Sequence, residues 1–395
     1  MDTEATMEPR VEKKEIGPEN FIFIVIFVAF FSVFVAKMGI MNTINTMIST
    51  AYSLLLDTVL YLTALCVLMG AISALFSEFG LVSLVNRLLT PLMVPLYNLP
   101  GAASLGVVTT FLSDNPAILS LADDKYFKGL FKKYQFPALT NLGTSFGMGL
   151  IVCTFMLSLS TSSGESYGMS VLVGLIGAVI GSIISTRLML RFTAKLYGRE
   201  EDMIHDTSAG EGVHRTRPVR VGGAGSRFLG ALLDGGMAGV KMGVSIIPGV
   251  LIICTLIMMM TNGPSANGAY TGAAYEGIQL LPTIADKCSF ILEPLFGFSS
   301  SEAIGVPITA LGAAGAATSM AAQLISAGLA NAGDVAVFTA MCMCWSGYLS
   351  THVSMMNSLG CNELISKAII SHTIGGLCAG ISAHWIYVLL RIVVH

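Results

Sequence analysis

The sequence predicts an all-α polytopic membrane protein built from inverted repeats, with about seven spanning helices and two re-entrant helical hairpins. The first observation is composition: of 395 residues, 54% are hydrophobic and only 11% are charged, as in chains that cross a bilayer several times. The second is that two apolar segments are interrupted, whereas the others are continuous. The third is the position of Lys and Arg along the chain, which orients the segments.

Seven segments satisfy the requirement of a spanning helix, which is about 20 mostly apolar residues. They are 21–38, 54–77, 136–160, 168–193, 242–261, 333–358 and 366–390. The first 20 residues are polar and of mixed charge, and no small-residue cleavage site follows the first apolar run, so we expect an uncleaved cytoplasmic tail. The eight cysteines are scattered and mostly lie in apolar segments, so disulfides are not expected.

Three basic clusters predict the topology. The first contains Lys13 and Lys14, the second runs from Lys125 to Lys133, and the third holds eight Lys and Arg residues between Arg187 and Arg227. Two predicted helices separate each cluster from the next, so the positive-inside rule places all three in the cytoplasm. The chain is therefore expected to be multi-pass, with a cytoplasmic N-terminus and a cytoplasmic linker at 195–227.

The segment 100–122 is predicted to be a re-entrant hairpin, because Arg87 before it and the lysines after it lie on the same side. Its middle holds Ser113-Asp114-Asn115-Pro116. Pro116 lacks an N–H and disfavours helical geometry at the preceding residue, while Asp114 and Asn115 can cap the half-helix that follows. Non-helical backbone at membrane depth is tolerated only against protein or water, so this stretch is predicted to be a hairpin tip.

The segment 300–330 is rich in Gly, Ala and Ser and is predicted to be a second hairpin. Its tip is expected within 312–319, where Thr318 and Ser319 are the polar side chains. "SSSE" before it matches a capping box, with Ser299 as N-cap and Glu302 three residues later.

The order of elements repeats along the chain. The predicted divisions are a tail (1–20), a first helix with its connection (21–53), a first repeat (54–194) that includes hairpin 100–122, the linker (195–227), and a second, inverted repeat (228–395) that includes hairpin 300–330. Inverted repeats with discontinuous helices are the architecture of secondary transporters, whose site lies where the repeats meet.

Polar side chains at the tips and on the helices that follow them are the candidates for solute and ion binding. The substrate-binding candidates are Asp114, Asn115, Thr144, Ser145, Thr318, Ser319, Ser346, Ser350 and Ser354. The ion-binding candidates are Ser113, Asp114 and Asn141. His352 is a candidate proton relay. Each has a structural alternative: Asp114 and Asn115 as caps, the Ser, Thr and Asn residues as helix-packing contacts, and His352 as a packed, hydrogen-bonded histidine.

The stretch "FLSDNPAILSLADDKYFKGLFKKYQFPALTNLGTSFGMGLIV" (111–152) resembles the bacterial nucleoside-recognition (Gate) domain membrane proteins, relatives of the concentrative nucleoside transporters. "CWSGYLSTHVSMM" (344–356) resembles their second gate repeat less closely. The resemblance implies a concentrative-nucleoside-transporter-like fold, an inner-membrane location and a homo-oligomer. It also implies a solute held by both hairpins and their broken helices, and a sodium ion beside the first hairpin. The Gln/Glu pattern that reads nucleobases in that hairpin is absent here.

We therefore expect a secondary active transporter of a small polar organic solute, nucleoside-like or related, coupled to Na⁺ or H⁺. No cofactor, bound metal or nucleic acid is expected; the partners are the bilayer, the solute and further copies of the chain. One alternative is a non-transporting Gate-domain protein that docks a membrane partner through residues 195–226. Another is a hydrolase using Ser346 with His372 or His384 as base, but the Gly expected two residues before Ser346 is absent and so is H-E-x-x-H, so an enzyme is not expected.

Overall fold

The computed structural model describes residues 14–122, 125–159, 166–203, 219–265 and 267–394. Throughout these ranges the regular structure is helical, apart from an isolated β-bridge between Lys132 and Asp202. The helices, in chain order, are α1 (Pro18–Met38), α2 (Ile40–Glu78), α3 (Leu81–Tyr97), α4 (Ala103–Leu112), α5 (Ala117–Ala122), α6 (Lys125–Gly129), α7 (Ala138–Thr144), α8 (Gly149–Ser158), α9 (Gly168–Tyr197), α10 (Ala224–Thr261), α11 (Leu280–Lys287), α12 (Ser289–Phe296), α13 (Gly305–Gly312), α14 (Ala314–Ser326), α15 (Ala332–Trp345), α16 (Tyr348–Ser358) and α17 (Ile365–Val394).

Six helical segments in the described part of the chain are long and apolar enough to cross a bilayer: α1, α2, α7 together with α8, α9, α10 and α17. The chain is thus an all-helical polytopic membrane protein, as predicted. The predicted span 333–358 is divided, because its helix breaks after Trp345. Two predicted spans begin earlier than expected, since 54–77 is the second half of α2 and 242–261 the second half of α10.

The elements occur in the same order in both halves of the chain. Each half has a long helix (α2 or α10), a segment of shorter helix (α3 or α11–α12), a helical hairpin, an interrupted helix and a second long helix (α9 or α17). Hairpin 1 consists of α4 and α5, and hairpin 2 of α13 and α14. The interrupted helices are α7–α8 and α15–α16. Two repeats would give such an order; the predicted repeat boundaries stay a prediction.

The long helices form two separate packing groups. The scaffold pair, α2 and α10, is in close contact along its length; the core bundle consists of α7, α9, α15 and α17. Both groups pack through small residues, which let helix backbones approach closely in a membrane. In the scaffold pair, a Cβ added to Gly239 would overlap the backbone of Cys66 and Val67. In the core bundle, Gly181 of α9 lies against Gly375 of α17. The hairpins lie between the two groups.

Each scaffold helix contains a π-helical turn, at Leu54–Val59 in α2 and at Gly249–Cys254 in α10. The two turns contact each other, and α13 and α14 of hairpin 2 pack against the second. A π-helical turn widens the helix and frequently marks a functional region. The crossing of the scaffold pair is therefore also the place where hairpin 2 meets it.

At one end of the scaffold pair, the loop 262–279 folds over the start of α2 around the buried carboxylate of Glu276. That carboxylate accepts hydrogen bonds from Thr271 N (3.0 Å), Thr271 Oγ1 (2.7 Å), Gly272 N (3.0 Å) and Ser265 Oγ. Burial raises the pKa of Glu276, but these hydrogen bonds outweigh it and hold the pKa below its usual range. The loop also bonds α2 directly, since Thr50 Oγ1 accepts from Tyr275 N at 2.8 Å.

The opposite end of the scaffold pair is basic, and we call it the basic end. Arg220 and Arg227 donate there to the carboxylate of Glu78, at 2.8 and 2.7 Å, which joins the end of α2 to the start of α10. After α9, the backbone of Glu201 accepts from Lys133 N at 2.9 Å, so residues of the predicted linker pair with the loop that follows hairpin 1. The rest of the predicted linker, 204–218, lies outside the described residues.

Candidate functional site

Hairpin 1 breaks where the sequence predicts. Helix α4 ends at Leu112 and α5 begins at Ala117, leaving Ser113–Pro116 as the tip. The half-buried Asp114 carboxylate accepts a hydrogen bond from Asn115 N at 2.7 Å. The tip is therefore ordered by its own backbone as well as by the restricted geometry that Pro116 imposes.

Asn115 joins the tip of hairpin 1 to the second repeat. Its side chain is buried, and its Nδ2 donates to the backbone oxygen of Ser346 at 2.6 Å. The other side of the carboxamide lies on Gly147, where an added Cβ would overlap Oδ1. The side chain does not cap α5; it occupies the space between two helix interruptions, one from each repeat.

Those interruptions follow from local backbone geometry. In the first repeat the helix stops at Thr144 and resumes at Gly149, with Met148 in the left-handed region at φ 55°. In the second it stops at Trp345 and resumes at Tyr348, with Gly347 at φ 67°. Gly347 N donates to the oxygen of Ala310 in hairpin 2 at 2.9 Å. Both hairpins therefore touch the interruption of α15–α16.

Two buried polar atoms at this contact have no hydrogen-bond partner among the described residues: Asn115 Oδ1 and Ser346 Oγ. Thr144 Oγ1 and Trp345 Nε1, in the last residues before the two interruptions, are also unpartnered there, but Trp345 Nε1 lies against Gly376 of α17. Buried polar groups are nearly always hydrogen-bonded, so such a group calls for a bound molecule or water. We call this place the central junction.

Asn141 lies in the same helix as Thr144, but its carboxamide faces the core bundle. Its Nδ2 donates to Ser185 Oγ and to the backbone oxygen of Ala368, both at 3.0 Å. Ser185 in turn contacts Nδ1 of His372 at 3.0 Å, and Nε2 of His372 contacts the backbone oxygen of Cys344. These partners fix His372 as the tautomer that donates from Nε2, because a carbonyl can only accept.

His352 is fully buried on α16, with its ring centroid 4.6 Å from that of His372 and 5.8 Å from that of Tyr348. The Tyr348 hydroxyl is 2.6 Å from Thr373 Oγ1. The structure thus places the candidate proton relay beside a second histidine that sequence reasoning did not connect with it. The two lie 20 positions apart, on different helices.

The other predicted residues divide between buried and exposed positions. Ser145 is buried and donates to the oxygen of Asn141 at 2.8 Å. Thr318 and Ser319 are buried in α14. Because the break in hairpin 2 is at Ala313, they lie after the tip rather than at it. Ser350 and Ser354 lie on an exposed face of α16. The predicted stripe through Ser346, Ser350 and Ser354 is divided, because Ser346 belongs to the interruption and not to the helix.

The predicted capping box at Ser299 is wrong. The N-cap position before Glu302 is Ser300, and its side chain makes no capping hydrogen bond. Ser299 instead donates, from N at 3.0 Å and from Oγ, to the buried carboxylate of Asp334. Asp334 belongs to a capping box with Asn331 that starts α15, and the sequence signal for it was "NAGD". Glu302 is left facing a cavity.

Neither predicted base of the hydrolase alternative hydrogen-bonds to Ser346, whose Oγ has no partner among the described residues. Both ring nitrogens of His372 are occupied by Ser185 and Cys344, and His384 packs on Gly297. Within the described ranges, no group of three or more His, Cys, Asp or Glu residues is arranged to hold a metal ion.

Among the cavities formed by the described residues, we consider one beside each hairpin, where it meets the scaffold pair. One, of about 170 Å³, is on the side of the basic end and is lined by Ser113 of hairpin 1 and by Gly70 and Gly239 of the scaffold pair. The other, of about 520 Å³, lies toward the loop 262–279 and is lined by Asp57 and by Glu302 and Gln323 of hairpin 2. Each hairpin therefore borders a cavity, and the two cavities lie toward different ends of the scaffold pair.

No protein-family model and no curated protein matches this chain. Solved structures of CNTnw, a concentrative nucleoside transporter, are similar to it. A variant in an outward-facing state is 12% identical, with a TM-score of 0.49 over 82% of this chain and 75% of the other. An inward-facing, substrate-bound state is 12% identical, with a TM-score of 0.48 over 82% and 74%. A variant in an intermediate state is 13% identical, with a TM-score of 0.48 over 83% and 76%.

Proposed function

We propose that this chain is a secondary active transporter that moves a small polar organic solute, nucleoside-like or related, across the bacterial inner membrane. The observation that carries the proposal is the central junction, where unpartnered polar atoms from both repeats lie buried at the tip of hairpin 1. Interrupted helices are tolerated in a membrane where they line a cavity or a site, and secondary transporters place their sites at such interruptions near mid-membrane.

The cavities supply the second part of the argument. A transporter must expose its site to the two sides of the membrane in turn, and here one cavity at the border of the scaffold pair lies toward each end. Movement of the hairpins and core bundle against the scaffold pair would close one cavity while opening the other. The positive-inside rule places the basic end in the cytoplasm. The resemblance to the Gate-domain family favours a homo-oligomer.

Transport would be coupled to Na⁺ or H⁺. For Na⁺, Ser113 and Asp114 offer oxygen atoms at the hairpin tip, whereas both hydrogens of the Asn141 amide are directed to Ser185 and Ala368. For H⁺, His352 is the candidate, because both ring nitrogens of the neighbouring His372 already have partners. Uptake measured with Na⁺ replaced by K⁺, and then with the pH gradient clamped, distinguishes Na⁺ coupling from H⁺ coupling.

The test is a thermal-unfolding screen of the purified protein against nucleosides, nucleobases, amino acids and small organic acids, followed by uptake of each stabilising solute into proteoliposomes. A solute that binds only the folded state raises Tm. We expect Asn115→Ala to abolish the Tm shift and the uptake. Asn357→Ala, at an exposed position of α16, is the matched control and should change neither. Failure of every solute to shift Tm would favour the alternative of a partner protein in a membrane complex.

A further inference from the structure

The larger cavity lies away from the central junction, toward the loop 262–279. It has a volume of about 520 Å³. Its wall combines the scaffold pair, hairpin 2 and the loop; the residues that matter here are Asp57, Asn262, Tyr275, Glu302, Met320 and Gln323. We call it the vestibule.

The vestibule is acidic and its charges are uncompensated. Asp57, in the π-helical turn of α2, and Glu302, at the start of hairpin 2, supply two carboxylates, and no Lys or Arg is among the described residues that line the space. The buried carboxylates of Glu78 and Asp334 are bound by two arginines and by Ser299 and Asn331, whereas Asp57 is exposed and Glu302 half-buried, so both are open to the space. Among the described residues, neither the Asp57 nor the Glu302 carboxylate has a hydrogen-bond or ion-pair partner. Two like charges facing one space attract a cation.

An aromatic residue, Tyr275, lines the same cavity as the first carboxylate. Burial raises the pKa of the Tyr275 phenol, and the neighbouring Asp57 carboxylate raises it further. The rest of the wall is partly apolar, with the Met320 side chain from hairpin 2 and Met258 from α10. An aromatic face and carboxylates together hold ammonium groups well, and thioethers suit the carbon skeleton that carries them.

The volume of the vestibule favours an organic cation over an inorganic ion. A single water needs only about 10–15 Å³ of such space, so the vestibule, at about 520 Å³, is far larger than one bare ion requires. Sodium or another bare ion would use a small part of it and none of its apolar wall. An organic ion of several carbon atoms would use the carboxylates, the ring and the methionines together.

We propose that the vestibule binds an organic ammonium ion, which contacts Asp57 from the scaffold pair and Glu302 from hairpin 2. Binding itself does not depend on transport. If the proposed function holds, the solute class then includes amines that enter through this space. Because the two carboxylates belong to elements on opposite sides of the scaffold border, an occupied vestibule would hold hairpin 2 against the scaffold pair.

The test compares putrescine with 1,4-butanediol, which has the same carbon chain without charge, by isothermal titration of the full chain in detergent or nanodiscs. We expect putrescine to bind, butanediol not to bind, and Asp57→Asn and Glu302→Gln each to weaken putrescine binding about tenfold or more. Asp286→Asn, on α11 and outside the vestibule, is the matched control and should bind as wild type. Size-exclusion profiles and Tm confirm that each variant is folded.

Equal binding of butanediol, or unchanged putrescine binding after both carboxylate substitutions, would overturn the proposal. A response to NaCl at the same ionic strength equal to that of putrescine would also overturn it, because the effect would then be screening. The Asn115→Ala variant distinguishes failure of the ammonium-binding proposal from failure of the proposed transport function. That variant should lose solute uptake and still bind putrescine in the vestibule.

Discussion

Asn115 joins hairpin 1 to the second repeat, and its carboxamide lies against a glycine. Gly147 has no Cβ, and a Cβ there would overlap Asn115 Oδ1. The 2.6 Å hydrogen bond from Asn115 Nδ2 to the Ser346 backbone oxygen depends on the absence of a side chain at position 147. Even an alanine at position 147 would therefore displace the Asn115 carboxamide.

We predict that Gly147→Ala lowers the free energy of unfolding by about 1–3 kcal/mol, through overpacking and a lost buried hydrogen bond. It should also remove any solute-induced Tm shift. Gly168→Ala is the control, because a Cβ there meets only Ser166 Oγ at 3.6 Å. Thermal unfolding of both variants with and without solute checks this; equal stability of the two would show that Asn115 tolerates displacement.

Glu276 makes the loop 262–279 sensitive to acid. Its folded pKa is lowered, so the ionised carboxylate stabilises the fold at pH values above its unfolded pKa of about 4.3, and this contribution is lost as the pH falls through the folded value. We predict that Glu276→Gln lowers Tm at pH 7 and that its deficit relative to wild type shrinks below about pH 4. Tm measured from pH 7 to pH 3 tests this; a constant deficit would contradict it.

Single residues show where sequence reasoning works and where it fails. The break at Ser113–Pro116 was predictable because Pro116 acts on its immediate neighbour. The break at Ser346 was not, because one glycine in an apolar run does not reveal that its N–H bonds hairpin 2. Glu302 was assigned to a local capping box because Ser299 is near in sequence. Ser299 instead hydrogen-bonds to Asp334, 35 residues later.

Helices α2 and α10 were predicted too short for a related reason. Thr43, Thr46 and Thr50 lower the hydropathy of the first part of α2, yet all three are buried. Thr46 and Thr50 hydrogen-bond to residues of the loop 262–279, which the sequence gives no means of placing there. The π-helical turns were also not predicted; they contact each other across the scaffold pair, which local sequence does not show.

The scaffold pair holds together through backbone contact. Gly239 of α10 lies on the backbone of Cys66 and Val67, so any side chain there must separate the helices. We predict that Gly239→Leu destabilises the protein by about 1–3 kcal/mol or more. Gly225→Ala in the same helix meets nothing within 4 Å and should be neutral or stabilising by up to about 1 kcal/mol. Urea or thermal unfolding compares them, and similar losses would argue against close packing as the cause.

At the scale of the whole molecule, the two cavities are expected to open alternately. Ser113 lines the cavity toward the basic end and Gln323 the vestibule. In a background without the eight native cysteines, we predict that conditions which increase the labelling of Ser113→Cys by a thiol reagent decrease that of Gln323→Cys. Asn267→Cys, in the exposed loop, is the control and should label constantly. Parallel changes at both positions would contradict alternating access.

The contact between Asn115 and Ser346 also has a consequence for how such a chain can be assembled. Each half contributes one side of the junction, so neither half expressed as a separate fragment would possess a complete one. Two fragments produced together could restore it by finding each other in the membrane, without a covalent connection. A one-repeat ancestor could have built the same junction only as an antiparallel pair, with two copies inserted in opposite directions.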